Sequence, residues 1–217
     1  MELERLLSAS GPTSGKLARP SDNKIPHKIA FIQCVGSRSL KDYYPYCSSV
    51  CCMYATKEAV LIKEHEKESE VSIFYTDIRA FGKGFREFVN RAKKEWKIEY
   101  LRAKPSEIRE DPKSLDLIIK YEDTLTGEMR ILQVDLVVLC TALVSSPDNK
   151  ELAETLGIGV DEYGFFQIGH PLLAPLNATK PGIFLAGCCH NPKDIPDSVA
   201  DGKGAASRAA EFLAMRS

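Results

Sequence analysis

The chain has 217 residues, 44% of them hydrophobic and 27% charged, enough to bury one full core and part of a second. Its 29 basic and 30 acidic residues leave a net charge of −1, so no overall field draws it to nucleic acid or anionic lipid. The longest apolar runs, Leu136–Leu139 and Ile183–Ala186, fall far short of the roughly 20 residues of a spanning helix. The acidic Met-Glu-Leu-Glu start has no signal-peptide character, so a cytoplasmic chain without a membrane span is expected.

In chain order, residues 1–26 are rich in Ser, Gly, Pro and charge and read as a linker or docking arm with little core of its own. Lys28–Gln33 is a short apolar run expected as a buried strand, followed by a loop through Gly36 and Tyr43-Tyr44-Pro45. A helix is expected from about Ser48 to Lys67, a strand over Val71–Tyr75, and an amphipathic helix over Gly84–Trp96. That alternation predicts a parallel sheet. Ile98–Leu101, Leu115–Tyr121 and Met129–Val134 then read as an antiparallel insert, the last two joined by a hairpin through Asp123–Gly127. Asp135–Cys140 returns as a strand covered on both faces, and Ser145–Asn149 is a loop. The last third reads as a short helix (Lys150–Leu156), a strand over Gly182–Ala186 and a closing helix from about Asp197 to Met215. The expected fold is therefore α/β, a Rossmann-like parallel sheet with an antiparallel β insert. Residues 27–145 form its first domain and 146–217 a second segment.

Four of the seven cysteines lie between positions 34 and 52, a grouping that suits a metal site in a reducing compartment better than a disulfide framework. Cys34 ends the first strand, the edge where open α/β sheets place ligands. Cys47 and Cys51, four apart on the expected helix, share a face with Cβ atoms about 5–6 Å apart. Cys52 is turned about 100° from Cys51 on a regular helix, so both can bind one group only if that first turn is irregular. An iron–sulfur cluster is the leading reading, although the set does not follow the regular ferredoxin spacings. Zinc is the rival metal, without its usual Cys-x2-Cys knuckles. Buried thiols acting as small hydrophobes are the third reading.

The strings IQCVGSR, YCSSVCCMYATKEA and GIFLAGCCHNPKDIPDSVADGKGAA narrow the choice. With them the chain resembles the flavin and iron–sulfur subunit of the heterodisulfide reductases of methanogens and related sulfur-metabolising organisms. The likeness covers nearly the whole chain but only the later part of that family's thioredoxin-reductase-like module. It implies a thioredoxin-reductase-like nucleotide domain, with residues 146–217 as the C-terminal segment of a split FAD-binding domain. It also implies a four-iron (4Fe-4S) cluster on the Cys-x12-Cys-x3-Cys-Cys set, which here is Cys34, Cys47, Cys51 and Cys52. The turn that would hold a pyridine nucleotide reads Cys34-Val35-Gly36-Ser37-Arg38, which speaks against NAD(P)H binding.

On the flavin side, the resemblance implies that Gly187 and Cys188 end at the ribityl chain and that Asp194, Ile195, Pro196, Asp197 and Ser198 open a helix aimed at the isoalloxazine ring. Unpaired helix amides would stabilise negative charge there on reduction. Asp197 and Ser198 also read as ordinary helix caps. Lys57 matches a lysine that the family points at flavin N5, its bland alternative being a solvated pair with Glu58 or Glu64. Thr141 corresponds to the loop that rejoins the flavin domain. Cys140 and Cys189 read as core, and His190 as flavin-proximal loop or surface. The implied protein is one component of an oxidoreductase, incomplete as an isolated chain. It would pass electrons between FAD and a 4Fe-4S cluster, with FAD bound weakly or not at all until a missing half of the flavin domain is supplied. Its implied partners are the other subunits of such a complex and that missing half, a homodimer being a further arrangement. The competing expectation is a non-catalytic scaffold, zinc-binding or metal-free, that docks partners through the N-terminal arm and the Ala-rich last helix.

Overall fold

A computed structural model describes residues 2–41 and 43–215. The chain divides into two compact units, the first made of Met1–Val35 and Cys51–Thr141, the second of Gly36–Val50 and Ala142–Ser217.

The first unit contains α1 (Glu2–Leu7), β1 (Lys28–Val35), α2 (Cys51–His65), β2 (Glu70–Tyr75), α3 (Phe85–Lys94), β3 (Glu99–Arg102), β4 (Pro105–Glu110), β5 (Leu117–Asp123), β6 (Glu128–Val134) and β7 (Leu136–Thr141). A four-stranded sheet has the order β3-β2-β1-β7, and each neighbouring pair in it is parallel. The antiparallel insert is a separate sheet, β4-β5-β6; Ile98–Leu101, expected within that insert, instead supplies β3, which pairs in parallel with β2 from Ser72 opposite Glu99 to Tyr75 opposite Arg102. Because successive residues of a strand face opposite ways, β1 feeds two cores. Ile29 and Phe31 join Ala55, Ala59 and Ile62 of α2, while Ala30 and Ile32 join Ile119, Tyr121 and Val134 of the insert. Burial on both sides explains why β1 reads as an unbroken apolar run.

Two further expectations for this unit are corrected. Residues 1–26, expected as a linker or docking arm with little core of its own, carry helix α1 and bury Leu3, Leu7 and Leu17 in the α2 core, so the segment is packed rather than a free linker. The segment is also held by Arg19, buried between Asp22 and Asp116 at 2.7 Å each. The second helix begins at Cys51 rather than Ser48, because Ser49 has a left-handed backbone (φ 64°) that no α-helix continues through. Strand β4 escaped the sequence reading because it is polar, with only Ile108 to mark it, and pairs on one side alone.

The second unit contains α4 (Asn149–Leu156), β8 (Ile168–His170), β9 (Ala174–Ala178) and α5 (Ile195–Ala214). Its core gathers Ala153, Phe166, Ala178 and Leu185. The domain boundary expected at 145/146 lies instead at Thr141/Ala142, and the loop 36–50 joins this unit rather than the first. Tyr46 anchors that loop, its ring edge-on to Tyr163 and Phe165 and its hydroxyl donating to Leu143 O at 3.1 Å. Gly182–Ala186 is not a regular strand. Gly182 is left-handed at φ 87° after Pro181, and Phe184 makes only an isolated bridge to Asn177. Among the described residues no helix is long and apolar enough to cross a membrane.

Candidate iron–sulfur and flavin sites

Cys34 sits at the carboxyl end of β1, where the register against β7 shifts between Ile32 and Val35. Its backbone is left-handed at φ 61°, a conformation that a residue with a Cβ adopts at a cost of about 1–2 kcal/mol. Glycine is the ordinary choice at such a bulge, so keeping a cysteine there puts the value on its side chain. The preceding residue, Gln33, is buried and donates its Nε2 hydrogen to Cys51 O at 3.4 Å. Its Oε1 has no hydrogen-bond partner among the described residues, an unfinished polar environment at the root of α2.

Cys47 belongs to the second unit's loop. The Ser49 N–H donates to the Cys47 sulfur at 3.3 Å, and the fully buried Ser48 Oγ accepts from Leu143 N at 2.9 Å. Burial pushes the Tyr46 phenol up to about 12, so it stays protonated as the donor that pins this loop. The expectation that Cys47 and Cys51 share a helix face is corrected, since Cys47 lies outside α2.

Cys51 and Cys52 are the first two residues of α2 and face different surroundings. Cys51 lies in the core with Tyr54 and Cys140. The Cys52 sulfur accepts the Arg79 N–H at 3.5 Å and stands 3.8 Å from Asp77 O. The helix is regular from Cys51 onward, so the irregular first turn that would bring both thiols onto one face is not present, the left-handed residue Ser49 lying before the helix. Among the described residues no three His, Cys, Asp or Glu side chains close on a single metal ion. That geometry is the test for zinc; a four-iron cluster sets a separate iron under each thiolate, so its ligands need not converge on one point. Backbone N–H groups reach the sulfurs of Cys47 and Cys52, contacts of the kind that also hydrogen-bond to thiolates.

In the second unit, α5 opens as the sequence suggests but with a different cap. Asp194 is the N-cap, its carboxylate accepting the Asp197 N–H at 2.8 Å, and Ser198 Oγ donates to Asp194 O at 2.7 Å. Pro196 fills the first turn, where a missing N–H costs nothing. Asp197 and Ser198 are thus inside the helix, not caps. Gly187 is left-handed at φ 68°, and its N–H donates to Asp201 Oδ2 at 3.2 Å. Cys188 is exposed, its thiol directed to Lys193 O at 3.5 Å.

The sequence reading missed the centre of this turn. Asp201 also takes Lys193 and, at 2.9 Å, His190 Nε2, with the His190 and Lys193 side chains only 7% and 9% exposed. Burial pushes the Asp201 carboxyl up, but the hydrogen bonds from Lys193 and His190 outweigh it and hold the carboxyl below its usual range. No local signal marked it, because Asp201 lies 14, 11 and 8 positions from Gly187, His190 and Lys193. Of the remaining candidates, Lys57 is engaged with Glu4 of α1 at 2.5 Å rather than with Glu58 or Glu64. Thr141 is exposed at the end of β7, paired in register with Val35. Cys140 is fully buried, as expected.

No family model matches the chain. A CoB-CoM heterodisulfide reductase iron-sulfur subunit of Methanopyrus kandleri is 51% identical over 214 residues, 99% of this chain and 33% of that protein. Its counterpart in Methanocaldococcus jannaschii is 50% identical over 207 residues, 95% of this chain and 32% of that protein. The chain is a homologue of the heterodisulfide reductase iron-sulfur subunit. It spans about a third of the length of these curated relatives. A heterodisulfide reductase-like protein of Archaeoglobus profundus extends the likeness at 39% identity over 234 residues. Among solved structures, T. acidophilum thioredoxin reductase matches the chain with a TM-score of 0.58 at 21% identity, covering 88% of the chain and 53% of the enzyme. The Lactococcus lactis thioredoxin reductase gives 0.57 at 24%, covering 87% and 53%. These two matches show a thioredoxin-reductase-like fold.

Proposed function

We propose that the chain is an electron-transfer module of a heterodisulfide-reductase-like complex, holding a 4Fe-4S cluster on Cys34, Cys47, Cys51 and Cys52 and working with FAD. The observation that carries this reading is Cys34, a cysteine kept in a left-handed bulge at the carboxyl end of a parallel strand. A buried structural thiol gains nothing from that backbone. When bound, the cluster supplies one-electron exchange and the flavin both one- and two-electron exchange. The residues of this chain supply the rest. The amides of Ser49 and Arg79 donate to the Cys47 and Cys52 sulfurs and orient them. In the second unit, the Gly187 turn and the α5 entrance at Asp194–Ser198 would face the flavin, held in place by Asp201. The names of the relatives, which call them iron-sulfur subunits and reductases of heterodisulfides, support the reading. The matched share of those relatives leaves the partner subunits and the other half of the flavin domain to be supplied by further polypeptide.

Anaerobic reconstitution with iron and sulfide, followed by metal analysis and EPR, tests this. Brown protein with about four irons, the content of the cluster type, is expected, and replacing Cys51 or Cys52 by Ala should abolish it. Colourless protein carrying stoichiometric zinc would sink the proposal.

A scaffold role is the second reading, favoured by the outward face of α5, where Ile195, Val199 and Leu213 are exposed. It predicts that partner binding survives replacement of all four cysteines by Ser.

A further inference from the structure

Cys52 is gripped at its sulfur and at its carbonyl by the same edge of the parallel sheet, the one formed by β2 and β3. The sulfur meets the segment that leaves β2, accepting the Arg79 N–H at 3.5 Å with Asp77 O 3.8 Å away. The carbonyl is tied to β3 through Thr56. That residue follows Cys52 by four positions on α2, and its Oγ1 donates back to Cys52 O at 2.8 Å. The same Oγ1 lies 2.8 Å from the Tyr100 hydroxyl of β3. A hydroxyl has one hydrogen to give and a backbone carbonyl can only accept, so the order is fixed: Tyr100 donates to Thr56, and Thr56 donates to Cys52. Tyr100 is itself seated, its ring edge-on to Tyr75 of β2 and the Lys93 ammonium of α3 4.5 Å from its centroid. Arg102 Nε joins the two grips, donating to Thr76 O at 3.4 Å just before Asp77.

The helix does not need this chain of hydroxyls. A threonine bonded to the carbonyl four residues back slightly destabilises a helix. Thr56 is also fully buried, where a valine of the same shape would bring no polar group to satisfy. We propose that Thr56 and Tyr100 are positioning residues for Cys52, holding the first turn of α2 against the β2–β3 edge so that the Cys52 sulfur stays at the Arg79 amide. The purpose of this arrangement rests on the cluster reading above: a ligand already in place loses less freedom when the metal binds.

The test compares Thr56→Val, Tyr100→Phe and the double variant with the unaltered 217-residue chain. In the metal-free proteins, pulsed alkylation with iodoacetamide, read by peptide mass spectrometry, gives the accessibility of each thiol, and urea unfolding gives stability. Thr56→Val strands the Tyr100 hydroxyl, whereas the double variant removes both polar groups, so its unfolding midpoint should return toward that of the unaltered chain. Its Cys52 should nevertheless alkylate about fivefold faster, the factor one ordinary hydrogen bond contributes to a local opening, with Cys140 unchanged. Thr56→Ser keeps the hydroxyl and should label as the unaltered chain does. Cys52 labelling unmoved in the double variant, or rising only in step with the fully buried Cys140, overturns the positioning role. An unaltered chain that takes up no iron on reconstitution overturns the cluster reading alone, since the labelling decides the role of Thr56 and Tyr100 without metal.

Discussion

The backbone N–H of Ser49 donates to the Cys47 sulfur at 3.3 Å, and Ser49 is itself left-handed, at φ 64°. A residue in the β or right-handed α region there would send the chain that follows, into Cys51 and α2, in another direction. Ser49→Gly should therefore keep both the contact and iron loading while raising unfolding stability by up to about 1 kcal/mol, through relief of the Cβ penalty. Ser49→Val should lose roughly 1–2 kcal/mol and hold iron poorly, since a β-branched residue resists this backbone most. Denaturant midpoints of the metal-free proteins, with iron analysis of the reconstituted ones, check both directions.

Cys34 makes the opposite trade between stability and chemistry. Cys34→Gly removes the left-handed penalty, partly offset by the greater unfolded-state freedom of glycine, for a net gain of about 1 kcal/mol or less in the metal-free chain. The same variant should lose the cluster. A more stable protein that no longer takes up iron is the signature of a ligand held under backbone strain. A Cys34→Gly protein that loads iron as well as its parent removes Cys34 from the ligand set.

The two substitutions mark the limit of what the sequence makes legible. The parallel sheet and the hairpin insert could be read because their signals are local: apolar runs at Lys28–Gln33 and Asp135–Cys140, and Asp-Thr-Leu-Thr-Gly at the turn, with Gly127 left-handed at φ 73°. The helix start was missed because Ser48 and Ser49 look like caps; nothing in the residue types announces that Ser49 is left-handed and that Ser48 accepts from Leu143, 95 positions away. The packing of residues 1–26 is hidden by a composition dominated by Ser, Gly, Pro and charge. Leu3, Leu7 and Leu17 are few among polar neighbours, yet each finds the α2 core. The cysteine set was legible as a group from its crowding. The exchange of the Cys47 loop into the second unit was not, because it depends on Tyr46 meeting Tyr163 and Phe165, more than a hundred residues on.

In the second unit, Asp201 joins Gly187, His190 and Lys193. Asp201→Asn keeps the shape but leaves the Lys193 ammonium, 9% exposed, without its counter-charge. Breaking a buried pair from one side costs about 3–5 kcal/mol. Exchanging Lys193 for Met in the same protein should recover much of that loss, because the uncompensated charge goes with it. Urea unfolding of the single and double variants measures this. A single variant as stable as its parent would show that Asp201 does not hold the turn.

Glu58, on the α2 turn that carries Lys57, is only 4% exposed and gives stability a pH dependence of definite sign. Burial pushes its carboxyl up, and the charge of Glu4 nearby adds to the shift. A carboxyl whose folded pKa lies above its unfolded one binds its proton more tightly when folded. Its contribution is therefore fully present below about pH 4.3, the unfolded value, and is lost as pH rises through the folded value. At pH 7 the folded chain carries the cost of a desolvated carboxylate. Glu58→Gln should accordingly stabilise the chain at pH 7 by on the order of 1 kcal/mol and leave it nearly unchanged near pH 4. Chemical unfolding of parent and variant across pH 4 to 8 reads this as a gap that opens with rising pH. A gap that widens toward acid would mean that Glu58 is stabilised as the anion, and the desolvation argument would fail.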